Sequence, residues 1–314
     1  MKTGNIRRLL ILVMLIVLIS TFACSAGRDV YEVSSLAADS ISNMIFPDNK
    51  PVLKKKILVT PVINKTGFSA SQAEEIRQDC ISYLSKDKYL IITSLKKWGD
   101  NDASSFLEQY GTVLNQAYAK AAEEMGMNIL LACIIHPIEV TKKRTGVWPL
   151  RKDSYNVMIS ISINALDAVN GTLIVYNEKT ENINFDVTDS GESNNWTPDY
   201  NMLRSEISSM TKKLCSSFVD RLRRQYWQSK VTVDSDNLVI NAGKAIGINE
   251  NTVFEVFKKG DRIDTLADGE YYIFGEKIGE TRPRSISENK TVLAANINGE
   301  LEDAAFVRVK RHND

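Results

Sequence analysis

The residues able to serve as nucleophiles, metal ligands or proton carriers include four cysteines and two histidines, and their spacing decides what they can do. Cys80, Cys133 and His136 could in principle share a zinc ion. No CxxC pair and no HExxH run sets two ligands on one turn, however. His136, which follows an apolar stretch, therefore reads as a structural histidine, and His312 as part of a terminal tail. Gly243-Lys244-Ala245-Ile246-Gly247 lacks the GK[ST] ending that would place a lysine and a hydroxyl on phosphate and magnesium, and reads as a β turn. Glu74, Glu75 and Asp79 fall on the outer face of a helix, where a solvated surface is the expectation, and Glu123 and Glu124 read the same way. The sequence thus predicts no catalytic residue, no metal and no cofactor. Beyond Cys24 there are three cysteines, Cys80, Cys133 and Cys215, so at most one intramolecular disulfide can form, and which two would pair stays open.

Surfaces are better supplied than active-site parts. Residues 141–153 carry Lys142, Lys143, Arg144, Arg151 and Lys152 around Val147-Trp148-Pro149. Tryptophan and arginine are favoured contact residues at interfaces, so this polar loop is the first candidate docking site. The alternative is a solvated hairpin tip whose Trp148 folds back. Trp196, beside Asn194 and Asn195, is the second candidate. Arg221, Arg223 and Arg224 end the last helix and suit its negative pole. A contact with anionic lipid or peptidoglycan is the alternative there.

The amino terminus has Lys2, Arg7 and Arg8, then an unbroken apolar run from Leu9 to Ile19, then small and polar residues. This is the pattern of a secretory signal, and the run is well short of the roughly 20 residues a spanning helix needs. Thr21-Phe22-Ala23-Cys24 resembles the lipobox at which bacterial lipoproteins are cut and diacylated on the new terminal cysteine, with Thr21 standing where leucine is usual. Ordinary cleavage after Ala23 or Ala26 is the alternative. Ser25 in second position resembles lipoproteins sent to the outer membrane. The full chain balances 39 basic against 39 acidic residues, and residues 1–23 are basic only, so the processed chain is slightly acidic. No general attraction to nucleic acid is expected.

The elements that must position these residues follow from periodicity. Val30 to Ile45 falls loosely on a helical face, ended by Pro47 and Pro51. Lys56 to Ile63 reads as a strand, and Ser71-Gln72-Ala73-Glu74 as a capping box opening a helix through Ala73, Ile76, Cys80 and Leu84. Tyr89 to Thr93 is a second strand, and Val113, Ala117, Tyr118, Ala121 and Met125 mark a helix closed by Gly126 in left-handed conformation. Ile129 to Ile135 is apolar throughout, as a strand covered on both faces requires. Tyr155 to Ile163 alternates, Asn170-Gly171 turns, and Thr172 to Tyr176 returns. Leu203, Ile207, Met210, Leu214, Phe218 and Leu222 form the strongest helical stripe. From Val231 onward short strands alternate with glycine turns, which predicts a small barrel or sandwich.

Leu36-Ala-Ala-Asp39, Lys56-Ile-Leu-Val-Thr-Pro-Val-Ile-Asn64, Glu123-Glu-Met-Gly-Met-Asn-Ile-Leu130 and Ala165-Leu-Asp-Ala-Val-Asn-Gly-Thr-Leu173 carry a likeness. They resemble a family of bacterial envelope proteins that includes the FlgO and FlgT flagellar type, the TolB amino-terminal domain, CsgG and LpoB. Ile240-Asn-Ala-Gly243 and Gly247-Ile-Asn249 resemble the carboxy-terminal β domain of the FlgT type. The resemblance implies an α/β fold: a TolB-N/CsgG-like domain with a sheet flanked by helices, followed by a small all-β, barrel-like domain. The divisions would be signal peptide 1–23, lipid tether and short helix 24–55, α/β domain 56–228 and β domain 229–314. It implies a non-enzymatic lipoprotein on the periplasmic face of the outer membrane, anchored through Cys24. Its partners would be envelope proteins, foremost those of the flagellar basal body, and it allows a homo-oligomer. The alternatives are an activator of a periplasmic enzyme such as a peptidoglycan synthase, or a CsgG-like secretion component. A pore is disfavoured, because residues 138–154 are basic and residues 180–199 acidic and Asn-rich.

Overall fold

The computed structural model describes residues 53–94, 125–145, 152–186, 196–263, 271–295 and 297–310, together with 107–109, 112–114, Ala122 and Val147. The signal segment, Cys24, the helix expected between Val30 and Ile45, Trp148 and Arg151 lie outside the described residues. From Val52 onward the chain forms one contact-defined unit.

The first part is a seven-stranded mixed sheet with two helices on one face. β1 (Lys55–Val59) is buried at every position, β2 is Ile63–Asn64, α1 is Ala70–Leu84 and β3 is Leu90–Ser94. β4 (Leu107–Gln109) and β5 (Thr112–Leu114) form a separate antiparallel pair. The helix expected from Val113 is thereby corrected at its start: Thr112-Val113-Leu114 is β-branched and apolar, and strand pairing overrides its weak helical spacing. β6 (Ile129–Ile135), β7 (Glu139–Thr145), β8 (Lys152–Asp167) and β9 (Leu173–Asp186) follow, and α2 (Tyr200–Arg224) closes this part. β1 runs parallel to both β3 and β6, whereas β8 is antiparallel to β6, β7 and β9.

The capping box of α1 is made by Ser69 and Gln72 rather than by Ser71 and Glu74. Ser69 Oγ accepts from the Gln72 amide at 3.3 Å, and Gln72 Oε1 accepts from the Ser69 amide at 2.8 Å. Glu74 is drawn instead to Arg77, which donates to both carboxylate oxygens at 2.7 Å. The α2 stripe is buried as its spacing predicts, from Leu203 through Leu222. It packs with Ile76, Cys80 and Leu84 of α1 onto Ile57, Leu131, Ile159 and Ile161 of the sheet. The other face holds a smaller group of Leu58, Met127, Leu130 and Leu166.

The second part comprises β10 (Gln228–Lys230), β11 (Thr232–Asp234), β12 (Asn237–Ile240), β13 (Phe254–Ile263), β14 (Tyr271–Thr281), β15 (Pro283–Ile286), β16 (Thr291–Leu293) and β17 (Ala304–Val309). They form two four-stranded sheets, ordered β10-β17-β13-β14 and β11-β12-β16-β15. No closed barrel is present among the described residues, which corrects the barrel-like expectation. The chain passes from one sheet to the other at Val231 and again at Arg282, the corner arrangement of a sandwich. Trp227, Leu238, Phe254, Ile278, Leu293 and Val307 fill the space between them. Residues 244–246, read as part of a β turn, form a 3-10 turn that ends at Gly247 with φ 97°.

The two parts meet through buried polar contacts. Beside this junction, within the first part, Lys55 Nζ donates to the Leu222 carbonyl and to that of Gln225 just past the helix, at 2.5 and 2.6 Å, placing a cation at the negative end of α2. Asn128 accepts from the Lys56 amide and donates to the Gln228 carbonyl, each at 2.9 Å. Asp167 accepts from the Val169 amide at 2.7 Å and from Gln228 Nε2. Two left-handed glycines face the same junction. Gly126 has φ 62°, as the expected helix cap requires, and a Cβ there would lie 2.6 Å from the Asn241 carbonyl. Gly171, in the expected Asn-Gly turn, has φ 69° and lies against the Tyr271 ring.

Candidate docking surface

β7, β8 and the far end of β9 form a three-stranded wing whose helix-side residues Val157 and Ile159 stay in the core, while its other face is covered by no described element. Of the stretch 141–153, expected to be a polar loop, residues 141–145 and 152–153 are strand. Residues 139–145 pair in register with 152–158, from Glu139 opposite Met158 to Thr145 opposite Lys152. Polar side chains on both sides hid this strand: Lys142 and Arg144 fall on one, Thr141 and Lys143 on the other. Residues 180–186 were hidden by polar side chains too, since Thr180, Asn182 and Asn184 alternate with Ile183 and Phe185.

Strand alternation divides the basic cluster. Lys142 is opposite Tyr155, on the helix-bearing side, whereas Lys143 is opposite Ser154 and shares the outer side with Thr141 and Asn156. Residues 141–144 are all exposed, and Val147 beyond them is 81% exposed. Arg144 stands opposite Asp153. Trp196 packs on the helix-bearing side. Its ring stacks on Tyr155 with centroids 4.7 Å apart and tilts against Phe185 at 5.5 Å. Lys142 and Trp196 thus share a face around Tyr155, and Lys143 does not.

The outer face of the wing is a polar ladder. Asn156 Nδ2 donates to Asn184 Oδ1 at 2.9 Å, and the Ser160 and Thr180 hydroxyls are 2.6 Å apart. Tyr176, Glu178, Thr180, Asn182 and Asn184 are exposed along β9, whose outer edge is unpaired among the described residues. In the sequence this ladder is masked, because on β8 its residues occur singly between apolar ones and on β9 residues 177–182 are an unbroken polar run. Its signal was the period of two.

Elsewhere the chemical groups do not converge. His136 Nε2 is 2.8 Å from Ser162 Oγ on one side of the sheet, while Cys133 lies in the helix-side core with Cys80, so the sheet separates two of the three weighed zinc ligands. Among the described residues no group of three His, Cys, Asp or Glu is placed to hold a metal, and no helix is long and apolar enough to cross a membrane. Burial pushes the Asp167 carboxyl up to about 6, against the hydrogen bonds from Val169 and Gln228 that favour its ionised form. Glu255 is held below the usual carboxylate range. Burial opposes this, but the bonds from Lys277 (2.8 Å) and Arg308 (2.8 Å) outweigh it. Trp227, whose indole nitrogen is buried without a hydrogen-bond partner, lies in the sandwich core with its ring centroid 5.8 Å from that of Phe254.

No family model matches the chain, and no curated protein matches it. Among solved structures, the chain is similar to the PelC dodecamer from Paraburkholderia phytofirmans, at 15% identity over 56% of this chain and 93% of that one, with a TM-score of 0.31. A lipoprotein from Neisseria meningitidis matches at 13% identity over 55% of this chain and 99% of that one, TM-score 0.29. The LpoB C-terminal domain from Salmonella enterica matches at 13% identity over 45% of this chain and 91% of that one, TM-score 0.28.

Proposed function

We propose that this chain is a non-enzymatic envelope lipoprotein, anchored through Cys24 to the periplasmic face of the outer membrane, that works by docking other envelope proteins on its β7-β8-β9 wing. The observation that carries the reading is the wing itself. A sheet whose inner end is covered on both faces extends outward with its outer face hydrogen-bonded, polar and uncovered among the described residues. Such a face suits reversible protein contact, which relies on polar and aromatic complementarity more than on apolar area. The signal-like amino terminus supports placement in the envelope. The finer assignment, an assembly role at the flagellar basal body, rests on the sequence resemblance to the FlgO and FlgT type.

Crosslinking and affinity capture of the tagged full chain from its own envelope, read by mass spectrometry, tests the role. Flagellar ring or motor proteins support the assembly reading. A peptidoglycan synthase as sole partner moves the protein to the activator class, and recovery of no partner removes the docking reading. Cys24→Ser is expected to shift the protein from the membrane to the soluble fraction, and a variant still held in the membrane would sink the anchor.

A further inference from the structure

α1 and α2 come from distant parts of the chain, and where they touch, two thiols face each other. Cys80 Sγ and Cys215 Sγ are 3.2 Å apart, and both side chains are buried, at 0% and 1% exposure. The third thiol, Cys133, belongs to the same core but arrives from β6 beneath the helices. The three open pairings of the sequence therefore reduce to one by proximity.

We propose that Cys80 and Cys215 form a disulfide that joins α1 to α2, leaving Cys133 as a reduced core residue. A disulfide requires sulfurs about 2.05 Å apart, so closing the gap takes a movement of about 1 Å, within reach of small side-chain rotations from the present contact. The reaction is exchange with an external disulfide, either a low-molecular-weight one such as oxidised glutathione or a thiol oxidoreductase. One cysteine thiolate attacks the external disulfide and releases one reduced thiol. The second cysteine then attacks the mixed disulfide and releases the other. The two protein thiols are oxidised by two electrons, and the external disulfide is reduced to two thiols. Because neither sulfur is accessible in the packed helix pair, the exchange takes place while α1 and α2 are still coming together. Once formed, the bond is shielded from reductants. It would close a loop of 135 residues in sequence separation, long enough for a large effect on the unfolded chain. In the cell the bond rests on the envelope reading, since disulfides persist in oxidising compartments.

The test is peptide mapping of the full chain refolded from the reduced, denatured state in a glutathione redox buffer, with free thiols alkylated before digestion. The expected product links the Cys80 and Cys215 peptides and shows Cys133 alkylated. Alkylation of all three, or a link that includes Cys133, overturns the proposal. Protein refolded from the denatured state with reductant present throughout should melt about 10 °C below the linked protein, and equal midpoints also count against it. This readout needs no variant that might misfold. Mapping protein taken from its own envelope separates the two readings: a fully reduced native chain beside a linked refolded one overturns export to an oxidising compartment and leaves the pairing standing.

Discussion

β8 passes through two environments. From Ile161 to Leu166, beside β6, every residue is buried, including Ser162 and Asn164. From Ser154 to Ser160, beside β7, burial alternates, with Tyr155, Val157 and Ile159 inward and Asn156, Met158 and Ser160 only half-buried. The strand, its period and its inner covering are the same in both halves. What differs is the outer face: at the first it is closed by the group that includes Met127, Leu130 and Leu166, and at the second no described element covers it. A strand can therefore be rigidly held through one face while offering the other.

The contrast should appear most strongly in paired truncations. Ile161→Ala removes a fully buried side chain and is expected to cost about 4 kcal/mol by denaturant unfolding. Met158→Ala, three residues away and so on the outer face, should cost less than about 1 kcal/mol. Equal losses would show that the outer face is core.

A smaller effect separates the wing from the junction between the two parts. Asp167 has its pKa raised by burial to about 6, so between its unfolded value and about pH 6 the folded state binds the extra proton. Stability from this group is therefore full below pH 4 and falls as pH rises toward 7, by up to about 3 kcal/mol. Asp167→Asn should lose that fall, read as the difference between the two unfolding curves across pH. A difference that stays constant with pH would break the assignment. Glu255 runs the other way: its pKa is lowered by Lys277 and Arg308 against the opposing effect of burial, so its contribution is present above about pH 4.5 and lost on acidification.

The smallest expected effect on stability is at the wing tip, where the proposed docking role is tested. Trp196→Ala should cost about 1 kcal/mol by loss of the Tyr155 and Phe185 contacts. Replacing Lys142 and Lys143 together by Ser should leave stability within about 0.5 kcal/mol while reducing partner capture. If Trp196→Ala instead leaves stability untouched and abolishes capture, Trp196 is a contact residue rather than a support for Tyr155.

Elements with strong periods were legible in the sequence. β6 occupies the residues its apolar run predicts, and every position of the α2 stripe is buried. The misreadings share a cause. β7, the end of β9 and the polar positions of β8 carry lysine, asparagine and threonine outward, and a half-wet strand of such residues has the composition of a loop. Ser71 and Glu74 offer the same capping spacing as Ser69 and Gln72, and the local i,i+3 pairing of Glu74 with Arg77 is what takes Glu74 away from that role. The docking candidates looked like one basic patch because linear spacing does not show sidedness, and pairing with β8 divides it.

The lysine at the start of β1 has a mechanical consequence. Lys55 enters the central parallel strand and also grips the last carbonyls of α2, 167 residues later. A pull arriving from the amino-terminal side would load β1 along the ladders it shares with β3 and β6, and Lys55 would carry part of that load directly to the far end of the helix. Tension applied from that side would thus be shared by the sheet and the helix together.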